Sequence, residues 1–230
     1  MTNIANNLAE IRRRISLAAQ RVERDPGKIT LVAVSKKKPL ADIMAAHDAG
    51  QQVFGENYLQ DARDKIKQCP EKLSWHFIGH VQSNKARQVA ELFTMVETVD
   101  RLKLAKALDK HAGQFGRCLD VLVQVNIGRE LQKSGVLPEN AAELLSGINP
   151  LPNLRVRGIM VMPPYSVNPE DSRAFFRQAR ELAYELKDSG FFANLQQIEL
   201  SMGMSGDFEV AVEEGATMVR VGTALFGKRV

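Results

Sequence analysis

Short apolar runs alternate with longer amphipathic segments along the whole chain. Eight of these runs are rich in β-branched and aromatic residues, as is typical of parallel strands that are buried on both faces. The predicted strands are Ile29–Ser35, Gln52–Gly55, Trp75–Gly79, Met95–Val99, Leu119–Asn126, Val156–Met162, Ile198–Ser201 and Met218–Gly222. The segments between them repeat apolar residues at helical spacing. This order predicts an α/β fold, a single (β/α)8 TIM barrel that spans residues 1–230 as one domain.

Several of the predicted helices begin at recognisable capping residues. Asn168 precedes a proline and two acids, which together make a favourable helix start. Ser83 and Asp100 are predicted to cap the helices over residues 84–93 and 101–111. The alternative architecture, a doubly wound open sheet, often carries a Gly-x-Gly-x-x-Gly turn, and this sequence has none.

One further helix is predicted before the first strand. Its apolar residues form one helical stripe, Ile4, Leu8, Ile11, Ile15 and Val22. We interpret Arg12, Arg13 and Arg14 as its solvated face, and a helix that lies on a membrane surface is the alternative. The amino terminus lacks the apolar region of a signal peptide, so a cytoplasmic protein is expected.

Composition and charge narrow the functional classes. The 230 residues are 44% hydrophobic and 25% charged, and the net charge is +4. Because the basic residues are interspersed with 27 acids, the chain lacks the concentrated positive face of a nucleic-acid binder. Cys69 and Cys118 have no zinc-ligand spacing and form no disulfide framework. We therefore expect no nucleic acid, no membrane and no metal among the partners of this protein.

Candidate chemistry lies at the carboxyl ends of the predicted strands, where barrels have their active sites. Lys36 follows strand one on the face that it shares with Val32 and Val34, and this face is predicted to point into the barrel. A neighbouring ammonium, Lys38, would lower the pKa of Lys36 and suit it to form a Schiff base. A solvated basic loop is the alternative. Asn57, after strand two, is interpreted as part of a helix start and as a contact to a ring substituent, and the two interpretations are compatible.

The loops after strands seven and eight resemble a phosphate site, which barrels often place there. Ser201 precedes two glycines, and Gly222 with Thr223 offers backbone N–H groups. Arg220 shares the interior face of its strand and needs a partner, for which a pyridine nitrogen and Glu199 are the candidates. A lysine, an arginine and a phosphate cup are together what pyridoxal 5′-phosphate (PLP) requires.

Three further residues have more than one interpretation. Lys133, after strand five, is a positive charge near the phosphate, a second adduct site or an exposed loop lysine. Gly158, in strand six, allows a flat ring to approach closely. Met160 on the same strand is interpreted as a core residue.

Seven motifs, distributed over essentially the whole chain, carry a family resemblance. They are Ala33-Val-Ser-Lys36, Phe54-Gly-Glu-Asn-Tyr58, Trp75-His-Phe-Ile-Gly-His80, Gln82-Ser-Asn-Lys85, Arg157-Gly-Ile-Met160, Ser201-Met-Gly-Met-Ser205 with Asp207, and Val219-Arg-Val-Gly-Thr223 with Phe226-Gly227. In this order they resemble the YggS/PROSC family of pyridoxal-phosphate homeostasis proteins. One departure is Lys37, which stands where a small or polar residue is common in the family.

The resemblance implies a barrel of the alanine racemase N-terminal-domain type with PLP as its cofactor. Lys36 would form the Schiff base, Arg220 would face the ring nitrogen, and Ser201, Gly222 and Thr223 would hold the phosphate. The cofactor-binding residues that the resemblance implies are Lys36, Asn57, Met160, Ser201, Arg220, Gly222 and Thr223.

The resemblance also implies a non-catalytic PLP-binding protein that acts in vitamin B6 and amino-acid homeostasis. The alternative is a small PLP-dependent racemase, which needs an acid/base group on each face of the substrate. Lys36 supplies one such group. The chain ends soon after strand eight, and neither Tyr58 nor Tyr165 has a visible activating neighbour. We therefore expect a monomeric carrier with no catalytic residues, whose recipients are apo PLP-dependent enzymes.

Overall fold

The computed structural model describes residues 3–192 and 196–227. In this part of the chain, eight parallel strands close into a barrel in their sequence order. The strands are β1 (Thr30–Val34), β2 (Val53–Glu56), β3 (Ser74–Phe77), β4 (Met95–Val99), β5 (Leu119–Val125), β6 (Leu154–Val161), β7 (Glu199–Ser201) and β8 (Met218–Val221). Strand β8 closes the barrel against β1, with Met218 opposite Thr30 and Val221 opposite Ala33. The predicted (β/α)8 barrel is confirmed, and each predicted strand overlaps a strand of the structure.

Helices alternate with the strands and cover the outside of the barrel. They are α1 (Ile4–Gln20), α2 (Leu40–Asp48), α3 (Leu59–Ile66), α4 (Ala86–Leu92), α5 (Leu102–Gln114), α6 (Ala141–Ile148), α7 (Arg173–Asp188), α8 (Phe208–Glu213) and α9 (Thr223–Phe226). Short 3-10 turns occur at Pro26–Lys28, Ser83–Lys85, Pro138–Asn140 and Pro169–Ser172. Within residues 3–192 and 196–227, no helix has the length and apolar character that crossing a membrane requires.

The extra amino-terminal helix is present as α1, and its apolar stripe is buried against the barrel. Ile4, Leu8, Ile11 and Ile15 belong to the main core, whereas Val22 lies beyond the helix end and is partly exposed. The membrane-surface alternative is therefore wrong, because the apolar face of α1 is already covered. Arg12 and Arg13 are exposed, as predicted, although Arg12 also donates to Gly50 O at 2.7 Å. Arg14 is half-buried and pairs with Glu209 of α8.

Of the three predicted helix caps, Ser83 and Asp100 are wrong, and Asn168 is a cap, although of a 3-10 turn. Ser83 is the first residue of a 3-10 turn, so α4 begins later, at Ala86. Asp100 does not cap α5, because its carboxylate is engaged by the guanidinium of Arg101 at 2.5 Å. Asn168 does accept a capping bond from the Glu170 amide at 3.3 Å, although it caps the short turn that precedes α7.

A small apolar cluster fills the barrel below its mouth, separate from the main core between strands and helices. Its members are Val32, Met95, Leu122, Met160 and Met218. Met160 has no exposed surface and is confirmed as a core residue. These side chains fill the barrel interior with apolar atoms, and none of them lines the cavity at the carboxyl ends of the strands.

The strand pairing of β6 is irregular at Gly158. Val121 pairs with Val156 and Leu122 pairs with Gly158, which leaves Arg157 as an extra residue in β6. A Cβ atom on Gly158 would lie 2.0 Å from the backbone oxygen of Glu199 on β7. Glycine is thus required here by a β-bulge and a close approach of two strands. The earlier interpretation, in which Gly158 admits a flat ring, is not needed to explain this glycine.

Candidate functional site

A cavity of about 450 Å³ opens at the carboxyl ends of the strands. Its walls come from the loops that follow β1, β5, β6, β7 and β8. Four predicted site residues line it together, Lys36, Arg220, Gly222 and Thr223, and so does Lys133. Larger and comparable cavities occur at the opposite ends of the strands, but the candidate chemistry lies in this one.

Lys36 lies in a tight turn directly after β1. The amide of Lys38 donates to Ser35 O at 3.0 Å, and Lys37 has a left-handed backbone with φ of 58°. The side chain of Lys36 lines the cavity beside Val34, as the alternation along β1 predicts. Lys38 leaves this face because the turn ends the alternation. Its Nζ donates to the carbonyl oxygens of Phe226 and Gly227, at 2.9 and 3.2 Å.

A hydroxyl and two backbone amides meet in the wall formed after β7 and β8. Ser205 Oγ accepts from the amides of Gly222 and Ala224, each at 3.3 Å. Gly203 turns the chain into this loop with φ of 89°, and a Cβ there would lie 2.5 Å from the Cβ of Ala211. Ser205, Gly222 and Thr223 all line the cavity. The geometry is that of a small oxygen-binding cup with donors from the backbone.

Arg220 is held from below by a buried chain of hydrogen bonds. Its Nη1 donates to Ser201 Oγ at 2.6 Å, and Ser201 donates in turn to Glu97 Oε2 at 2.5 Å. The other oxygen of Glu97 lies 2.7 Å from His76 Nδ1. Arg220 Nη2 donates to Val161 O at 3.0 Å. Four strands of the barrel thereby fix the direction of one guanidinium.

The charges in this chain of bonds stabilise each other. Burial opposes the ionisation of Glu97, but the His76 hydrogen bond and the charges of His76 and Arg220 outweigh it and hold its pKa below the ordinary value. Burial lowers the pKa of Arg220, and the carboxylates of Glu97 and Asp207 oppose that shift. Because an ionised carboxylate only accepts hydrogen bonds, His76 must carry its hydrogen on Nδ1. Arg220 remains a cation, since a guanidinium keeps its proton in proteins.

Three predicted site residues do not line the cavity. Ser201 is fully buried, and its hydroxyl is hydrogen-bonded to Glu97 and Arg220. The hydroxyl that accepts from the backbone amides belongs to Ser205 instead. Met160 belongs to the apolar cluster inside the barrel. Asn57 lies at the end of β2 against Gly79, and its buried Oδ1 has no hydrogen-bond partner within residues 3–192 and 196–227.

Glu97 is the main functional residue that the sequence reasoning missed. The signal was present, because Glu97 alternates with the interior residue Met95 along β4 and therefore shares its face. Glu199, the carboxylate considered for Arg220, is instead bonded by Thr217 Oγ1 at 2.6 Å. That interpretation was wrong because Glu199 begins β7 and lies at the opposite end of the strand from the mouth.

Lys133 reaches the cavity wall from the loop after β5. Its Nζ donates to Pro163 O at 2.8 Å and pairs with the carboxylate of Glu130. The interpretation as a freely exposed loop lysine is therefore wrong.

Residues 6–230 match the family model described as Alanine racemase, N-terminal domain. The chain is 46% identical over 230 residues to the Pyridoxal phosphate homeostasis protein of Pseudomonas aeruginosa, and the match covers 100% of this chain and 97% of that one. It is also 46% identical over 235 residues to the protein of that name from Escherichia coli, covering 100% and 98% of the two chains.

Solved structures agree with these matches. PipY of Synechococcus elongatus, solved without PLP and with PLP bound, is 39% identical with TM-scores of 0.86 and 0.84, over 97% of this chain and 100% of that one. A Clostridium difficile alanine racemase shares only the fold, with 14% identity and a TM-score of 0.76 over 99% of this chain and 60% of its own. The chain thus belongs to the pyridoxal phosphate homeostasis protein family, with a barrel of the alanine racemase N-terminal-domain type.

Proposed function

We propose that this protein binds PLP at the barrel mouth, holds it as a Schiff base on Lys36, and delivers it in intracellular vitamin B6 and amino-acid homeostasis. One observation carries the proposal: Lys36, the guanidinium of Arg220 and the oxygen-binding cup at Ser205 and Gly222 line a single cavity. PipY, at 39% identity, was solved with PLP bound, which supports the same ligand here.

The site residues fit the aldehyde, the ring and the phosphate of PLP. The amides of Gly222 and Ala224 already bind an oxygen atom, that of Ser205, and a phosphate oxygen offers the same kind of acceptor. A Cβ on Gly222 would be a tight fit, since it would lie 3.2 Å from both Cβ and O of Val34. Asn57 lies outside the cavity lining, and its buried Oδ1, which has no hydrogen-bond partner among residues 3–192 and 196–227, is the acceptor that we assign to a hydroxyl donor on the ring.

Each side chain has a distinct task in this proposal. When bound, PLP supplies an aldehyde, which a neutral lysine amine converts to a Schiff base with release of the aldehyde oxygen as water. Arg220 is kept cationic and therefore offers only N–H donors to a ring nitrogen, which disfavours protonation of that nitrogen. Glu97 and Ser201 hold Arg220 in place and leave the phosphate to the amides and to Thr223.

A carrier is favoured over a racemase. Curated relatives at 42–46% identity bear the name Pyridoxal phosphate homeostasis protein. The tyrosines considered as a second acid/base group, Tyr58 and Tyr165, are 50% and 88% exposed, so neither is buried against a position where a substrate would lose a proton. We propose apo PLP-dependent enzymes as the recipients.

Borohydride reduction in the presence of PLP tests the site. We expect peptide mass mapping to find a stable pyridoxyl label on Lys36 of the wild type and none at this position in Lys36→Ala. Lys37→Ala is the matched control, because Lys37 is adjacent but exposed, and it should keep the label. A wild-type protein with no label on Lys36 would contradict the proposed function.

A transfer experiment tests delivery. We expect the PLP-loaded protein to reactivate an apo PLP-dependent enzyme even when a small-amine trap removes free PLP from solution, because the cofactor would pass without equilibrating with the bulk. The control is the same total PLP added without the protein. Reactivation equal to this control would exclude delivery, and steady racemisation of an added amino acid would favour the racemase alternative.

A further inference from the structure

A buried charged cluster outside the cavity contacts the chain on both sides of Lys36. It consists of Glu56 at the end of β2 and of Asp61 and Lys65 on α3, and we call it the Lys65 cluster. Lys65 Nζ donates to Glu56 Oε1 at 2.9 Å and to Asp61 Oδ2 at 2.7 Å. Lys65 and Glu56 are both buried. The proposed binding of PLP uses none of these three side chains.

The cluster is bonded to the two neighbours of Lys36 in the sequence. Before Lys36, Ser35 O accepts from Lys65 Nζ at 3.0 Å, and Ser35 Oγ donates to Glu56 Oε1 at 2.7 Å. After it, the amide of Lys37 donates to Asp61 Oδ2 at 3.1 Å. The backbone that carries Lys36 is thus held at two points by one group of charges.

The backbone turn that carries Lys36 is strained and needs the hydrogen bonds that the Lys65 cluster supplies. Lys37 adopts φ of 58°, and the left-handed conformation costs an L-residue with a Cβ roughly 1–2 kcal/mol. A strained backbone persists only where its surroundings hold it, and such strain is concentrated at functional sites. The bonds from Asp61 and Lys65 are charge-assisted and therefore stronger than bonds between neutral groups.

Stability alone does not explain the cluster. Replacing a buried ion pair with apolar residues is often neutral or stabilising, because desolvation of the charges offsets their attraction. Burial is the main reason that the pKa of Glu56 is raised, and it outweighs the opposing effects of Ser35 and Lys65. One carboxylate oxygen of Glu56 is also buried without a partner within residues 3–192 and 196–227. The cluster therefore carries an energetic cost, and what it secures is the geometry of the turn.

We propose that the Lys65 cluster is a positioning device for Lys36. It holds the Ser35–Lys38 turn so that the Lys36 amine stays at the cavity wall, where it can reach an aldehyde. Glu56, Asp61 and Lys65 are positioning residues, since they act only through the backbone of this turn. The proposal rests on the proposed role of Lys36 and extends it to residues on the next β–α unit.

Asp61→Ala gives the sharpest test, because Asp61 is 38% exposed and its loss should not prevent folding. Asp64→Ala is the matched control on the same helix, because its carboxylate pairs with the adjacent Arg63 and, among the described residues, with no other cation. We expect the rate constant for labelling Lys36 with PLP and borohydride to fall by roughly 10-fold to 100-fold in Asp61→Ala, the penalty of a misplaced reacting group. Asp61→Asn retains an acceptor for the Lys37 amide and should recover part of the rate.

A second readout needs no cofactor. Amide hydrogen exchange in residues 35–38 should accelerate by roughly 10-fold in Asp61→Ala, which corresponds to the loss of about one hydrogen bond. Lys65→Met should act in the same direction, with Lys67→Met as its exposed control. Faster exchange with an unchanged labelling rate would overturn the proposal and leave the cluster a structural one, and so would exchange that is unchanged in both variants. Absence of label on wild-type Lys36 would instead refute the proposed function.

Discussion

Glu97→Gln is expected to lower the free energy of unfolding by about 3–5 kcal/mol, because breaking a buried ion pair leaves its partner uncompensated. Glu97 is fully buried, and its carboxylate accepts from Ser201 and lies 4.0 Å from Arg220 Nη1. A glutamine of the same shape keeps one acceptor but carries no charge. Chemical denaturation at pH 7, with the midpoint and slope fitted together, measures the loss.

Glu139→Gln is the matched control for this experiment. Glu139 is likewise paired with an arginine, and it accepts two bonds from Arg129, but its side chain is 50% exposed. Exposed pairs of this kind contribute little to stability because solvent screens their charges, so Glu97→Gln should cost several-fold more stability than Glu139→Gln. Equal losses in the two variants would mean that the charge of Glu97 is not needed to compensate Arg220.

The buried pair of Glu97 and Arg220 also predicts the direction in which the stability of the protein changes with pH. The pKa of Glu97 is lower in the folded protein than the value of about 4.3 expected for an unfolded chain. Its contribution to stability is therefore complete above about pH 4.3 and is lost as the pH falls through the lower folded pKa. The difference in stability between wild type and Glu97→Gln should shrink over this acidic window and stay constant between pH 6 and 8.

Gly158→Ala is expected to destabilise the barrel by about 2–5 kcal/mol, the sum of a left-handed backbone term and an overpacking term. The backbone of Gly158 has φ of 154°, and an added Cβ would lie 2.0 Å from Glu199 O. That oxygen belongs to the main chain of the neighbouring strand, so relief requires β6 and β7 to separate. Thermal and denaturant unfolding both measure the change.

Gly190→Ala separates the backbone contribution to this loss of stability from the overpacking contribution. Gly190 has φ of 91°, and a Cβ there would meet no atom of residues 3–192 and 196–227 within 4 Å. This variant should therefore lose only the backbone term of roughly 1–2 kcal/mol. If Gly158→Ala costs no more than Gly190→Ala, the close approach of the two strands does not constrain the barrel.

The architecture was predictable because burial on both faces gives each strand a continuous apolar signature. All eight strands were predicted in this way, with ends that differ from the structure by at most two residues, as at Ile29 and Thr30. Helix starts were less predictable. Asp100 has the chemistry of a cap, but whether it caps or pairs with Arg101 depends on side-chain competition that spacing does not encode.

Part of the candidate site was also predictable from the sequence. The rule that barrel chemistry lies at the carboxyl ends of strands placed Lys36 and Arg220 together without any contact information. The sequence does not show which side chains meet across the barrel, so the hydrogen bonds from Arg220 to Ser201 and from Ser201 to Glu97 were not predicted. The Lys65 cluster combines an i,i+4 pair, which the sequence displays, with backbone partners that only the fold brings near.

The hydroxyl of Ser205 has a consequence for how fast an anion leaves the mouth. Its oxygen already accepts from the amides of Gly222 and Ala224, so an arriving phosphate competes with an internal acceptor for the same two donors. Departure of the phosphate then exposes no bare N–H group, because Ser205 takes its place. Such an exchange trades affinity for a faster dissociation rate, the balance that the proposed delivery of PLP would require.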